Sequence, residues 1–140
     1  MKKISLIEVF IGIVVVALLA AVLSPSLTLW LVRAREAEFA VNYSAVQKAA
    51  EDFAIQNYGR FPRNIDKDKT PSGQTLRDIV SAYDSISNPF TKNGVTVVIN
   101  GIAWKIGQVG YLPNFQDSIP VGCTITAVGI IGDTVIVCPK

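Results

Sequence analysis

The sequence predicts an α+β chain: a long N-terminal helix, hydrophobic in its first half and amphipathic in its second, packed on a C-terminal antiparallel β-sheet. Three observations carry that prediction. Residues 9 to 32 hold no charged side chain. An apolar stripe at helical spacing follows directly. From residue 94 onward, short runs rich in Val, Ile and Thr are punctuated by Gly and Asn, the pattern of strands and turns.

Composition narrows the chemistry. The 140 residues suffice for one domain and one membrane segment. A net charge of +2 gives no reason to expect a nucleic-acid partner. The chain has no histidine, which removes Ser-His-Asp and Cys-His nucleophile systems and all His-containing metal sites. No other catalytic constellation stands out, so neither an enzyme nor a cofactor is expected. The two cysteines, Cys123 and Cys138, lie near the C-terminus. Two thiolates alone make a poor zinc site. On an exported domain the pair reads first as a disulfide, ahead of free or metal-bound thiols.

The N-terminal segment sets the domain plan: residues 1–3 as a possible leader, 4–32 as a hydrophobic helix and 33–140 as a globular head. The 24 residues from Val9 to Val32 make about 36 Å of helix, enough for a hydrocarbon core of about 30 Å. Lys2 and Lys3 precede the segment, and Arg33 and Arg35 follow it, so charge counting leaves its orientation undecided. Glu8 sits at its head. A carboxylate in a membrane segment costs about 2.5–3.5 kcal/mol at the helix centre and less near an end. Lys3 or a nearby α-amino group could neutralise it within one chain, and a neighbouring copy would serve better. An ordinary signal anchor is the competing reading, and it has no use for Glu8.

The run Ile4-Ser5-Leu6-Ile7-Glu8-Val9, the aliphatic stretch after it, Ala20-Ala21-Val22-Leu23 and then Pro25 resemble the N-terminal helix of type IV pilins and type II secretion pseudopilins. That family reads FTLIEL, then Ile, Val and Ala, with a proline about seventeen residues after the glutamate; here Glu8 to Pro25 is seventeen. The resemblance covers about 35 residues and implies several things. A prepilin peptidase would cut between Lys3 and Ile4 and methylate the new amine. The Glu8 carboxylate would pair with the Ile4 amine of an adjacent subunit during assembly of a helical filament. Unassembled subunits would wait in the inner membrane, and the assembly machinery would draw them into an extracellular pilus. The family's glycine before the cut is Lys3 here. With the leader retained, Lys3 or the Met1 amine would take the partner role instead.

Ser24, Pro25 and Ser26 weaken the helix. Proline removes a backbone hydrogen bond and crowds the preceding turn, about 3 kcal/mol in a helix interior. A simple kink is one reading. The resemblance implies another, local unwinding around Leu19 to Leu27 as subunits enter the filament.

Beyond Arg33, Phe39, Tyr43, Val46, Ala50 and Phe53 fall at intervals of 4, 3, 4 and 3, which predicts a helix face packed on a sheet. Asn57-Tyr58-Gly59 predicts its end, and Pro62 follows. Such a helix runs about 50 residues, against a usual mean of about 11–12. Residues 60 to 94 read as irregular, with a short helix from Thr75 to Tyr83. Arg60, Arg63, Lys67 and Lys69, interrupted by Asp66 and Asp68, read as a solvated face. Asp66-x-Asp68 resembles the start of a calcium loop, but the intervening lysines and missing glycine argue against one.

Strands are expected in VTVVIN and GIAWKIG, joined as a hairpin at Asn100-Gly101, then in GYLPN. A second hairpin pairs TITAV with TVIVC around Gly132-Asp133. Cys123 and Cys138 enclose 14 residues of it; a cross-link of that span contributes roughly 3 kcal/mol in the chain-entropy treatment. The leading functional expectation is a structural pilin subunit. A pseudopilin or minor pilin is the alternative: YGRFP after the helix resembles major pseudopilins, although those usually hold their C-terminal loop with calcium rather than with cysteines.

Overall fold

A computed structural model describes residues 5–83, 86–91 and 97–138; the side chains of residues 23–25 and 97 are also outside the description. In chain order the elements are α1 (Leu6–Gln56), α2 (Leu76–Ala82), β1 (Val97–Asn100), β2 (Gln108–Gln116), β3 (Ile119–Val128) and β4 (Asp133–Cys138). The compact units divide between Ala34 and Arg35. The α+β expectation holds: one long helix, apolar at its N-terminal end, precedes a sheet ordered β1-β2-β3-β4 that is mostly antiparallel.

In the head, the helical stripe forms the core as its spacing predicts. Phe39, Val46, Ala50 and Phe53 are buried, and Tyr43 packs partly buried against them. Ala49 and Ala54 widen the buried face. Opposite them lie Val109 and Tyr111 of β2, Cys123, Ile125 and Ala127 of β3, and Val98 of β1. From Cys123 to Val128 of β3 buried and half-exposed residues alternate, as period-two pleating requires, whereas in β2 Gly110 is buried together with its neighbours Val109 and Tyr111. Each fully buried large apolar side chain contributes about 1.5–3 kcal/mol.

α1 ends one residue before the predicted stop. Tyr58 and Gly59 both take left-handed backbone, φ 55° and 79°, and the Gly59 N–H donates to the Ala54 carbonyl at 2.8 Å. That bond closes the six-residue loop that commonly terminates helices. α2 starts where predicted. Thr75 caps it, its hydroxyl accepting from the Asp78 N–H while the Asp78 carboxylate accepts from the Thr75 N–H, a reciprocal capping box.

The hairpin expected at Asn100-Gly101 does not form. β1 pairs in parallel with β2, Val97 opposite Gln108 and Asn100 opposite Tyr111, and Ile102–Ile106 is not a strand. Gly101 has φ 120°, a conformation other residues rarely adopt, and it turns the chain out of the sheet plane. The segment then crosses β2 at Gly110, where a Cβ would meet the Gly101 carbonyl, the Ala103 nitrogen and the Thr126 hydroxyl. The Ala103 N–H donates to Thr126 Oγ1 at 2.9 Å, which fixes the crossing. Asn-Gly therefore marks a turn here, but the return path lies over the sheet rather than beside β1.

β2 absorbs GYLPN and extends it in both directions. Pro113 lies beyond the paired length of β1, on the side of β2 where no ladder bond is lost. A β2–β3 hairpin unread in the sequence turns at Asp117 and Ser118, both with positive φ (49° and 67°). The β3–β4 hairpin is present as expected, with its turn at Gly129 to Gly132 and Asp133 already in β4.

Candidate assembly helix and head surfaces

Lys3 and Ile4 lie outside the described residues. Glu8 is in the first turn of α1, exposed, and its Oε2 accepts from the Ser5 backbone N–H at 3.0 Å. Ser5 Oγ in turn accepts from the Ile7 N–H at 3.4 Å. Ser5 and Glu8 thus form the two halves of a capping arrangement at the N-terminus of α1. The Ser-x-x-Glu spacing ahead of an apolar run is the signal of this cap in the sequence, which the charge of Glu8 alone does not show. The helix N-terminus offers the carboxylate favourable partial positive charge without any second chain.

After Glu8 the apolar surface is continuous. All described side chains from Val9 to Leu31 are exposed, among them Phe10 at 65%, Leu18 at 63% and Trp30 at 66%. By length and composition α1 can cross a membrane. Its backbone stays helical through Ser24, Pro25 and Ser26, so no break is present at that triplet in the single chain. The side chains of Ser24 and Pro25 lie outside the description. One missing donor at Pro25 leaves the bonds of neighbouring turns in place, so continuity is physically reasonable.

Cys123 and Cys138 form a disulfide between directly opposed residues of β3 and β4, with Cα atoms 5.0 Å apart. Both are buried at the edge of the core. The bond fastens the end of β4, the last described strand, to the middle of β3.

Asp66 and Asp68 do not converge. The Asp66 carboxylate pairs with the Arg77 guanidinium, which holds it below the usual carboxylate range. Arg77 also donates to the Val98 carbonyl at 3.2 Å, tying the loop to β1. Asp68 accepts from the main-chain N–H groups of Arg63 and Asn64. The two carboxylates therefore serve separate structural roles, one on a side chain and one on the loop backbone.

Glu36 is a further contact that periodicity could not reveal. Its Oε1 accepts from the Ile130 N–H and from the Ile131 N–H, the latter at 2.9 Å. A Cβ on Gly129 would collide with the same carboxylate. Glu36 thereby caps the β3–β4 turn, a pairing across 94 residues that only the fold creates. Tyr111, buried in β2, donates its hydroxyl to the Pro62 carbonyl at 2.9 Å, and burial pushes its ionisation upward.

Comparison with protein-family models, curated proteins and solved structures gives no match for this chain.

Proposed function

We propose that this chain is the structural subunit of an extracellular type IV pilus-like filament, polymerising through the apolar part of α1. The observation that carries the reading is a helix stretch uncharged from Val9 to Val32, whose described side chains from Val9 to Leu31 are all exposed, with a single carboxylate, Glu8, at its head. In water that surface needs cover. A bilayer covers it before assembly, and neighbouring copies of the same helix cover it in a filament core.

In this proposal prepilin peptidase cuts between Lys3 and Ile4 and methylates Ile4. The Glu8 carboxylate then exchanges its Ser5 cap for the Ile4 amine of an adjacent subunit. A buried charge left unpaired is strongly unfavourable, so an axially shifted subunit is rejected and Glu8 sets register. Ser24-Pro25-Ser26, helical in the single chain, is where α1 unwinds on packing. The alternative, a pseudopilin of a secretion machine or a minor pilin, is favoured by Tyr58-Gly59-Arg60-Phe61-Pro62, whose Phe61 and Pro62 are buried.

Glu8 separates these readings from a plain anchor. Glu8→Gln keeps an acceptor for the Ser5 N–H and removes the charge. Electron microscopy of cells carrying Glu8→Gln or Glu8→Ala should show normal membrane levels of the chain and loss of filaments. Filaments at normal number in both variants would refute the charge-pairing role.

A further inference from the structure

The basic residues between α1 and α2 are not dispersed by the aspartates among them. Arg60, Arg63, Lys67 and Lys69 line one open cavity of about 450 Å³. Asp66 is absent from its lining and is paired with Arg77. Asp68 is present, but its carboxylate is bonded to the N–H groups of Arg63 and Asn64. Four cationic residues and one engaged carboxylate thus line a single cavity, in a chain whose whole surplus is only +2. Phe61 and Pro120, both buried, lie in its wall.

Part of the cavity is preorganised. The Arg63 guanidinium donates to the Ser118 carbonyl at 2.9 Å and lies 6.0 Å from the centre of the Phe115 ring. It is thereby held with planar donors left over for an incoming acceptor. Lys69 also lies within electrostatic reach of Asp78, outside the lining. The volume falls in the range of small-ligand sites, about 300–1,000 Å³.

We propose that this cavity binds a small multivalent oxyanion of the phosphoryl class. Four cationic residues in one lining exceed what a single carboxylate can neutralise. A tetrahedral phosphoryl group presents acceptors in several directions at once, which suits two guanidinium forks and two ammonium groups better than a planar carboxylate does. The site is independent of whether the chain assembles into filaments.

The test uses the full chain in micelles of a non-ionic detergent, titrated with tripolyphosphate by isothermal calorimetry at about 50 mM salt, where screening is modest. Saturable one-to-one binding is expected, with a dissociation constant below about 1 mM. The double variant Lys67→Gln/Lys69→Gln should weaken it at least about tenfold, because two charges are removed from an ion of several charges. Lys67→Arg/Lys69→Arg should retain it, and the thermal midpoints of all forms confirm folding. Citrate, of comparable charge, should bind several-fold more weakly. No saturable binding, or binding unchanged in the Gln variant, would overturn the site. Citrate binding as tightly would overturn the phosphoryl class. A short DNA duplex displacing tripolyphosphate at far lower concentration would overturn the small-ligand form.

Discussion

Four residues show how narrowly the head is determined. At Gly110 there is no space for a side chain, because the Gly101–Ala103 backbone crosses directly above it. Gly110→Ala should therefore destabilise the head by about 1–3 kcal/mol, read as a lower urea midpoint, since backbone must move to relieve the overlap. Tyr111→Phe leaves the Pro62 carbonyl without its buried donor and should cost about 1–3 kcal/mol in the same measurement. Asp66 and Asp78 are both held below the usual carboxylate range, Asp66 by Arg77 and Asp78 by the Thr75 N–H and hydroxyl. Their stabilisation is complete above the unfolded carboxylate value of about 3.9 and is lost as pH falls through it toward the lower folded values. Denaturation midpoints should thus drop on acidification below about pH 4, and Asp66→Asn/Asp78→Asn should flatten that limb.

At the scale of elements, legibility followed the range of the interactions. α1 and α2 were readable because their signals are local: the Phe39 to Phe53 stripe, the Tyr58-Gly59 stop, and Thr75 three residues before Asp78. β3 and β4 were readable because their alternation and glycine-bounded turn lie within twenty residues, Ile119 to Cys138. β1 was misassigned to a hairpin because its partner is decided by space above the sheet. Asn100-Gly101 carries a turn signal, but whether the chain returns beside β1 or over Gly110 depends on Thr126, 25 residues beyond Gly101. The Asp117-Ser118 turn was missed because neither residue is glycine, though both adopt positive φ. Glu36 on the β3–β4 turn had no sequence signal at all. The disulfide makes a testable claim at this scale. Replacing Cys123 and Cys138 by serine should lower stability by about 2–4 kcal/mol, and hydrogen exchange should show β4 opening before β2.

The whole chain joins two units with opposite requirements. From Arg35 onward a buried core, satisfied loop carboxylates and a disulfide make a head that keeps its apolar surface inside. Before it, every described side chain of α1 from Val9 to Leu31 is exposed. Such a helix is stable only where lipid or other helices cover it. The Ser5–Glu8 cap is a resting arrangement for a charge that the proposed filament would pair between subunits. The capping geometry was available in the spacing of Ser5 and Glu8.

The central claim is that this chain is a filament subunit built through its N-terminal helix. It is tested most directly by shearing filaments from cells that express the chain and measuring the intact mass and N-terminal peptide of their main component. The account predicts this chain, beginning at a methylated Ile4, with a mass two hydrogens below the fully reduced value for the Cys123–Cys138 bond. Filaments that contain none of this chain, with the chain found only in the membrane, would contradict it.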